Sequence, residues 1–220
     1  ARLAGQLDHA HVVHVHGLGI EERTPYYAME FIEGTTLQAI LPEIQEVQLG
    51  RATPFGPKDQ PEYFVRLAET LVDVAGGLHH AHSKRIIHRD IKPSNLILGT
   101  DGRVRILDFG LAHLAGEDGL TRTGDILGTV PYMSPEQAKR HKCEVDHRTD
   151  IYSLGATAYT LLTFRRPLEG KDVQDTLRRI LDREPIEPRQ LNPRIPEGLE
   201  TIVLKCLRKE PAERYSTGQA

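Results

Sequence analysis

The stretch that most constrains what this chain can fold into runs from Arg85 to Gly110, with the sequence RIIHRDIKPSNLILGTDGRVRILDFG. Two short apolar runs, 96–98 and 104–107, are rich in Ile, Leu and Val, and a polar segment with two glycines separates them. Apolar runs on either side of a turn of this composition predict a β-hairpin.

The hairpin would hold three polar side chains at one edge of its sheet. Asn95 would lie at the start of one strand, Asp108 would follow the end of the other, and both would lie close to Asp90. Carboxylate and amide oxygens are ligands that Mg²⁺ prefers, with phosphate oxygens completing its coordination. The sequence therefore predicts a Mg²⁺ site that also binds phosphate.

Composition excludes several other classes of protein. The formal net charge of −3 gives no general attraction to nucleic acid or to anionic membranes, and no apolar run is as long as a membrane span. Cys143 and Cys206 are the only cysteines and lie far apart, which indicates a reducing compartment. We therefore expect a cytoplasmic domain that binds no nucleic acid and contains no membrane segment, although segments outside these residues could anchor a longer protein to a membrane.

Strand patterns come first along the chain and helical patterns follow. Residues 11–19 and 26–32 alternate as strands do, whereas residues 42–60 carry three prolines and predict an irregular surface insertion. Apolar spacing predicts a long helix from 61 to about 83 and a largely buried helix from about 148 to 163. This order predicts a mostly helical α+β domain.

Three motifs carry a resemblance to a known family. HRDIKPSN at 88–95, DFG at 108–110 and SPE at 134–136 occur in an order and at a spacing that resemble the protein kinase catalytic domain. The segments YMSPEQA and DIYSLGA are similar to those of bacterial, eukaryotic-like (Hanks-type) serine/threonine kinases. The resemblance covers the whole chain and implies ATP as the phosphate donor, Mg²⁺ (with Mn²⁺ as an alternative) and protein substrates with Ser or Thr.

The resemblance also implies a protein-kinase-like fold with two lobes. Residues 1–32 would be a remnant of the antiparallel-sheet N-terminal lobe, containing the end of helix C, two strands and the hinge. Residues 33–220 would be the helical C-terminal lobe, truncated in its last helix, with a catalytic loop at 88–95 and an activation segment at 108–136.

Five residues match the family's catalytic positions: Asp90, Lys92, Asn95, Asp108 and Thr129. Asp90 would accept a hydrogen bond from the substrate hydroxyl, and Lys92 would contact the γ-phosphate. Asn95 and Asp108 would hold the metal. We expect Thr129 to bond Asp90 and Lys92. On the adenine side, the match implies a further set of nucleotide-binding residues: Met29, Glu30, Ile32 and Ile97.

The resemblance assigns scaffold roles to five further residues: His88, Phe109, Glu136, Asp150 and Arg214. His88 and Phe109 would belong to a hydrophobic spine, with Val15 a plausible third member. Glu136 and Arg214 would form a buried ion pair, and Asp150 would hold the backbone of the catalytic loop. Taken singly, each acid is better interpreted as a helix cap or surface ion pair, but the joint spacing favours these roles.

Regulation by phosphorylation is a further implication of the match. A phosphate on Thr121 or Thr123 would pair with Arg89 and order the loop around them. His113 stands where many relatives carry a second basic ligand for that phosphate. Such phosphorylation implies possible self-association of two copies, each acting on the other. Ser94 stands where relatives that select basic peptides often carry an acid, so the match gives no reason to expect an arginine-directed preference.

The sequence departs from the family at its start. It contains neither the family's G-x-G-x-x-G loop nor the lysine of a VAIK strand. We therefore expect these 220 residues alone to bind ATP poorly and to transfer phosphate slowly or not at all. Two alternatives remain: a pseudokinase that acts as a scaffold, although Asp90, Asn95 and Asp108 are all retained, and a small-molecule kinase, which the SPE motif and Lys92 disfavour.

Overall fold

The computed structural model describes residues 5, 7–21, 24–46, 55–56, 60–109, 128–139 and 145–220. Within them, two small antiparallel sheets precede or flank a set of helices, which confirms the predicted mixed α+β class with more helix than strand. None of the helices in these ranges is both long enough and apolar enough to cross a lipid bilayer.

The first sheet is a two-stranded hairpin. Strand β1 (Val15–Glu21) pairs with β2 (Thr24–Met29), with an irregularity between Val15 and Gly17. Strand β1 begins later than the alternation predicted, because residues 11–13 instead bond to the second sheet, where Val13 donates its amide to the Ile106 carbonyl at 3.0 Å. Residues 30–32 lie beyond the end of β2.

The second sheet contains the predicted hairpin. Strands β3 (Gly34–Thr36), β4 (Leu96–Gly99) and β5 (Val104–Ile106) lie in that order, and Leu98 pairs with Val104. Gly102 in the connecting turn has a φ of +79°, which glycine adopts without steric cost. The hairpin prediction is therefore confirmed.

Seven α-helices lie within the described ranges. They are α1 (Leu37–Glu46), α2 (Pro61–Ser83), α3 (Pro135–Ala138), α4 (Arg148–Thr163), α5 (Val173–Asp182), α6 (Pro188–Leu191) and α7 (Glu197–Cys206). The predicted bounds of α2 and α4 are confirmed. Residues 42–46, predicted to be irregular, are helical: α1 continues through Pro42 because Leu37 and Ile40 on its inner face are buried in the core.

Helix α4 lies at the centre of the helical part. Thirteen of its 16 residues are buried, so it contacts the rest of the domain on nearly every side. The core on one side of it includes Tyr63 and Leu78 of α2, and on another side Val203 of α7. Helix α4 therefore supports the elements packed around it.

Candidate active site

The loop between α2 and β4 places two polar side chains, those of Lys92 and Asn95, against Asp90. Lys92 Nζ lies 2.8 Å from Asp90 Oδ2, and Asn95 Nδ2 donates to the same oxygen at 3.0 Å. Asn95 Nδ2 also donates to the Asp90 carbonyl at 2.8 Å. A short 3₁₀ turn, Pro93–Asn95, brings Asn95 back toward Asp90 and leads directly into β4.

The other carboxylate oxygen of Asp90 has a different environment. Asp90 Oδ1 is buried and has no hydrogen-bond partner among the described residues. A buried carboxylate oxygen without a donor costs free energy unless a ligand supplies one. The arrangement thus holds Asp90 by one oxygen and leaves the other available to a hydroxyl donor.

Thr129 joins this cluster from a distant part of the chain. Lys92 Nζ donates to Thr129 Oγ1 at 2.6 Å, so the ammonium group links Asp90 to Thr129. Thr129 immediately precedes the 3₁₀ turn Val130–Tyr132, whose three residues are buried. The structure therefore brings together Asp90, Lys92 and Thr129, with Lys92 making the contact to each of the other two.

Asp108 follows β5 in an unusual backbone conformation. Its φ is +63°, in the left-handed region that non-glycine residues seldom adopt. Tyr27 of β2 donates its hydroxyl to Asp108 Oδ1 at 2.6 Å. Burial, followed by this bond, raises the pKa of Tyr27 to about 12. Sequence reasoning missed Tyr27, although strand alternation puts it on the same face as Met29.

Asn95 and Asp108 are positioned at the same sheet edge. The Leu107 amide donates to the Asn95 carbonyl at 2.9 Å, so the residue before Asp108 is bonded to Asn95. The amide oxygen of Asn95 and the second oxygen of Asp108 are hard donors that suit Mg²⁺. Within the described ranges no three His, Cys, Asp or Glu side chains form a metal-binding group, so a cation here would depend on phosphate or water for its other ligands.

Asp150, at the start of α4, holds the catalytic loop from below. Its Oδ1 accepts the Arg89 amide at 2.7 Å and its Oδ2 accepts the His88 amide at 2.8 Å. His82 Nε2 lies 2.8 Å from Oδ2 as well, and all of the Asp150 side chain is buried. Sequence reasoning missed His82, because one histidine among 11 at the end of a helix gives no signal.

His88 contacts the segment that leads to Asp108. Its Nε2 donates to the Leu107 carbonyl at 2.7 Å and its Nδ1 accepts the Asp90 amide at 3.2 Å, so the proton lies on Nε2. The rings of His88 and Phe109 meet edge to face, with centroids 4.7 Å apart. Val15, the suggested third spine member, is only partly buried.

Arg89 lies between these supports with a φ of +69°. Its carbonyl accepts a hydrogen bond from Gln137 Nε2 at 2.8 Å, which ties the loop to α3. The Arg89 Nε atom is buried and has no hydrogen-bond partner in the described part of the chain. Thr121 and Thr123, expected to carry a phosphate to Arg89, and His113, expected to be a second ligand of that phosphate, lie outside the described residues.

Glu136 and Arg214 form a buried bidentate ion pair. Arg214 Nη1 donates to Glu136 Oε1 at 2.7 Å and Nη2 donates to Oε2 at 2.8 Å. The pair connects α3, which follows Thr129, to the segment after α7. The support below the site thus includes residues that are 78 positions apart in sequence.

The residues expected to hold adenine lie at and after the end of β2. Met29 is its last residue and is 41% exposed, and Ile97 in β4 is partly buried. The Glu30 amide already donates to the His14 carbonyl at 2.9 Å. Only the carbonyl of Glu30 therefore remains for a base, together with the backbone groups of Ile32.

The described residues thus form a mostly helical domain that presents Asp90, Lys92, Asn95 and Asp108 at one sheet edge. The sequence profile described as "Protein kinase domain" matches residues 1–220. The chain therefore belongs to the protein kinase family, and its fold is protein-kinase-like, as expected from the motifs.

Bacterial relatives support the same assignment. The chain is 34% identical to the serine/threonine-protein kinase PrkC of Bacillus subtilis over 219 residues, and 33% identical to the serine/threonine-protein kinase PknB of Mycobacterium tuberculosis over 223 residues. It is also 37% identical to the tyrosine-protein kinase MasK of Myxococcus xanthus over 228 residues. These alignments cover 99–100% of this chain, which spans about a third of the length of each relative (31–33%).

Proposed function

We propose that this chain is the catalytic part of a serine/threonine protein kinase, which transfers the γ-phosphate of ATP to Ser or Thr hydroxyls of proteins. The observation that carries the proposal is the asymmetry of Asp90. One carboxylate oxygen receives Lys92 and Asn95, whereas the other is buried without a donor among the described residues. A substrate hydroxyl is the donor that this second oxygen lacks.

The roles of the cluster follow from its contacts. Asp90 Oδ1 accepts the hydrogen bond of the substrate hydroxyl and orients its oxygen toward the phosphate. The Lys92 ammonium, held between Asp90 and Thr129, lies where it can neutralise charge on a transferred phosphoryl group. Phosphoryl transfer asks little covalent chemistry of the protein, so this positioning and charge neutralisation carry the rate.

Asn95 and Asp108 would hold the metal through one amide oxygen and one carboxylate oxygen. Bound Mg²⁺, or Mn²⁺ in its place, would neutralise the negative charge of the nucleotide phosphates. Met29, Glu30, Ile32 and Ile97 would contact the adenine. The Glu30 carbonyl is the backbone group of that residue still available, because its amide donates to the His14 carbonyl.

Specificity for Ser and Thr is supported by the Lys92 to Thr129 contact. This bond fixes the segment at 128–132 close to Asp90, in a position expected to leave room for a short hydroxyl side chain rather than for a tyrosine ring. The relative MasK is named a tyrosine kinase, so the preference for Ser and Thr over Tyr is a separate proposal from protein kinase activity itself.

Regulation through phosphorylation at Thr121 or Thr123 is also part of the proposal. Arg89 supports it, because its Nε is buried without a partner in the described residues and its backbone is fixed by Asp150 and Gln137. A phosphate would supply the missing acceptor, with His113 as a second ligand. Two copies that associate would phosphorylate each other.

We also propose the two-lobe division at residues 32 and 33 and a cytoplasmic site of action. The named strands support the division, since β1 and β2 form one sheet whereas β3, which starts at Gly34, pairs with β4 in the other; residues 11–13 of the first part also bond to β5. Buried Cys206 is a free thiol, in keeping with a reducing compartment.

The decisive experiment measures transfer of labelled γ-phosphate from Mg²⁺-ATP to protein substrates by the longer protein that contains this chain. Asp90→Asn should reduce kcat by about 10²- to 10⁴-fold, the usual contribution of a positioned base, with nucleotide affinity little changed. Asp101→Asn, an exposed carboxylate in the β4–β5 turn, is the matched control and should retain activity. Phosphoamino-acid analysis should find phosphoserine and phosphothreonine.

Equal activity of Asp90→Asn and the control would overturn the catalytic assignment. Absence of transfer by the unaltered protein, with ATP still bound, would favour the scaffold alternative. The same assay on the 220 residues alone should show slow transfer or none, since their sequence contains no G-x-G-x-x-G loop.

A further inference from the structure

A groove of about 690 Å³ lies between the first half of α1, the end of α4 and helix α5. Five arginines line this groove, which we call the arginine groove: Arg165, Arg166, Arg178, Arg179 and Arg183. Three carboxylates, those of Glu169, Asp175 and Glu184, also line it, so the lining has a formal excess of two positive charges. The whole chain has a formal net charge of −3, so this surface departs from the protein's general charge.

Two of the arginines are paired within the groove. Arg166 Nη1 bonds Glu169 Oε1, and Arg179 Nη2 lies 3.0 Å from Asp175 Oδ2. The Asp175 side chain also accepts the Lys171 amide at 3.1 Å, and these bonds lower its pKa. These two pairs shape the wall of the groove but leave little charge for a ligand.

The other three arginines are available. Arg165, Arg178 and Arg183 are exposed, and none of them has a carboxylate within 4.0 Å in the described part of the chain. The remaining acid, Glu184, is close enough to Lys209 to oppose the lowering of that lysine's pKa. Three unpaired guanidinium groups around one concavity form a site for anions, because guanidinium binds carboxylate and phosphate with paired hydrogen bonds.

The arginine groove is continuous with the catalytic cluster. A second groove of about 310 Å³ shares Arg166 and Glu169 with it and is lined at its other end by Gly128 and Val130. These two residues flank Thr129, which receives the Lys92 ammonium. A polypeptide whose hydroxyl reaches Asp90 can therefore continue past Thr129 toward the arginines.

We propose that the arginine groove selects protein substrates with acidic groups, either carboxylates or phosphates, near the Ser or Thr that receives the phosphate. The inference rests on the proposed kinase function and names its substrate class. Nucleic acid is a poorer fit, since the cations are confined to one concavity on a chain of negative net charge. The groove would contribute to substrate binding, so its effect can be measured in a binding assay that involves no phosphate transfer.

The test uses the longer protein that contains this chain and labelled peptides with one Thr acceptor. Three peptides differ only in a flanking triplet of Glu, of phosphoserine or of Gln, and a second set carries the triplet on the other side of the acceptor. Binding is measured by fluorescence anisotropy and phosphorylation by kcat/KM. The variant is Arg165→Gln with Arg178→Gln and Arg183→Gln. The charge-matched control is Arg103→Gln with Arg194→Gln and Arg208→Gln, three arginines outside the groove.

In at least one set, the unaltered protein and the control should bind the Glu or phosphoserine peptide about tenfold more tightly than the Gln peptide, a factor that three exposed ion pairs can supply. The groove variant should lose this preference and phosphorylate the Gln peptide as before. A preference for phosphoserine over Glu would identify phosphate as the ligand group. Raising the salt concentration should weaken the binding of the acidic peptides but not that of the Gln peptide.

Equal binding of all three peptides in both sets, or an unchanged preference in the groove variant, would overturn the inference. The outcome is separable from that of the proposed function. If no peptide is phosphorylated but the acidic peptides bind through the three arginines, the groove is a site for acidic peptides and the kinase proposal fails.

Discussion

At the scale of single residues, Arg214 shows how the protein keeps a charge in its core. Its three nitrogens donate to five acceptors: both oxygens of Glu136 and the carbonyls of Arg148, Arg208 and Lys209. The guanidinium has five N–H groups, so every donor is used. The Arg214 side chain is fully buried, and that of Glu136 is 5% exposed. Such a pair is stable only while both members and all bonds remain.

Glu136→Gln should therefore destabilise the protein strongly. The substitution leaves the Arg214 charge buried without a counter-ion, which costs about 3–5 kcal/mol. Urea unfolding of the purified protein measures the loss. Asp146→Asn, which breaks a surface pair with Arg148 across 2.6 Å, is the control and should cost about 0–1 kcal/mol. Similar losses in both variants would show that the buried pair adds no more than a surface one.

Two residues with left-handed backbone also lie at the site. Arg89 and Asp108 are two of the four non-glycine residues with positive φ in the described ranges. This conformation costs on the order of 1–2 kcal/mol for an ordinary residue. Asp150 bonds the Arg89 amide and Tyr27 bonds the Asp108 carboxylate, so surrounding contacts hold both in place. Strain at these two positions fits the candidate active site, because strained backbone is often found at functional sites.

At the scale of elements, the segment 7–13 packs a histidine cluster against α2. The His9 ring lies 5.1 Å from that of His80 and 5.6 Å from that of His11, measured between centroids. Burial, then the charges of His80 and His11, lower the pKa of His9, while Asp73 and Asp8 act in the opposite direction. Leu7 and Val12 on either side are buried, so the cluster lies within a tertiary contact.

Stability should fall on acidification through this cluster. Because the pKa of His9 is lowered in the folded state, the unfolded chain takes up a proton below about pH 6.5 that the folded chain resists. The stabilisation is therefore complete above that pH and is lost as the pH falls below it. Thermal unfolding at about pH 7 and about pH 5.5 should show a smaller drop in Tm for His9→Gln than for the unaltered protein.

His16→Gln removes an exposed histidine of β1 and serves as the control for that experiment. It should leave the pH dependence as it is in the unaltered protein. A His9→Gln variant with an undiminished pH dependence would mean that other groups cause the acid sensitivity.

At the scale of the whole molecule, the close approach of α4 and α7 determines how the helical part is assembled. A Cβ at Gly155 would lie 2.4 Å from the Cβ of Cys206, a distance that real structures do not show. The contact also buries the Cys206 thiol and raises its pKa to about 12. Glycine is required here for packing, because the facing atom belongs to a short side chain that cannot move aside.

Gly155→Ala should destabilise the whole domain by about 1–3 kcal/mol, since the added methyl group overpacks the α4–α7 contact. Gly198→Ala is the control: Gly198 lies in α7 with nothing within 4 Å of an added Cβ, so alanine should stabilise by up to about 1 kcal/mol. Differential scanning calorimetry of both variants measures the two changes. Stabilisation by both would show that the helices separate without cost.

Local patterns sufficed where the physical cause is local. The hairpin of β4 and β5 follows from apolar runs around a glycine turn, and α2 and α4 follow from apolar spacing, because turn chemistry and periodic burial act over a few residues. The bounds of β1 and β2 were less accurate, since pairing of residues 11–13 with β5 is a long-range contact that alternation does not record.

The sequence by itself determined the family, the α+β class and the set of chemical groups at Asp90, Lys92, Asn95 and Asp108, since their types and spacing are carried by the chain. Only the tertiary structure decided which polar atoms of these groups are already hydrogen-bonded or ion-paired and which remain free to bind a ligand. It assigned Asp90 Oδ2 to Lys92 and Asn95, placed Tyr27 on Asp108 and His82 on Asp150, and gathered five arginines around one groove. These contacts join residues from separate elements. Packing around α4 brings those elements together, and local sequence patterns do not record that packing.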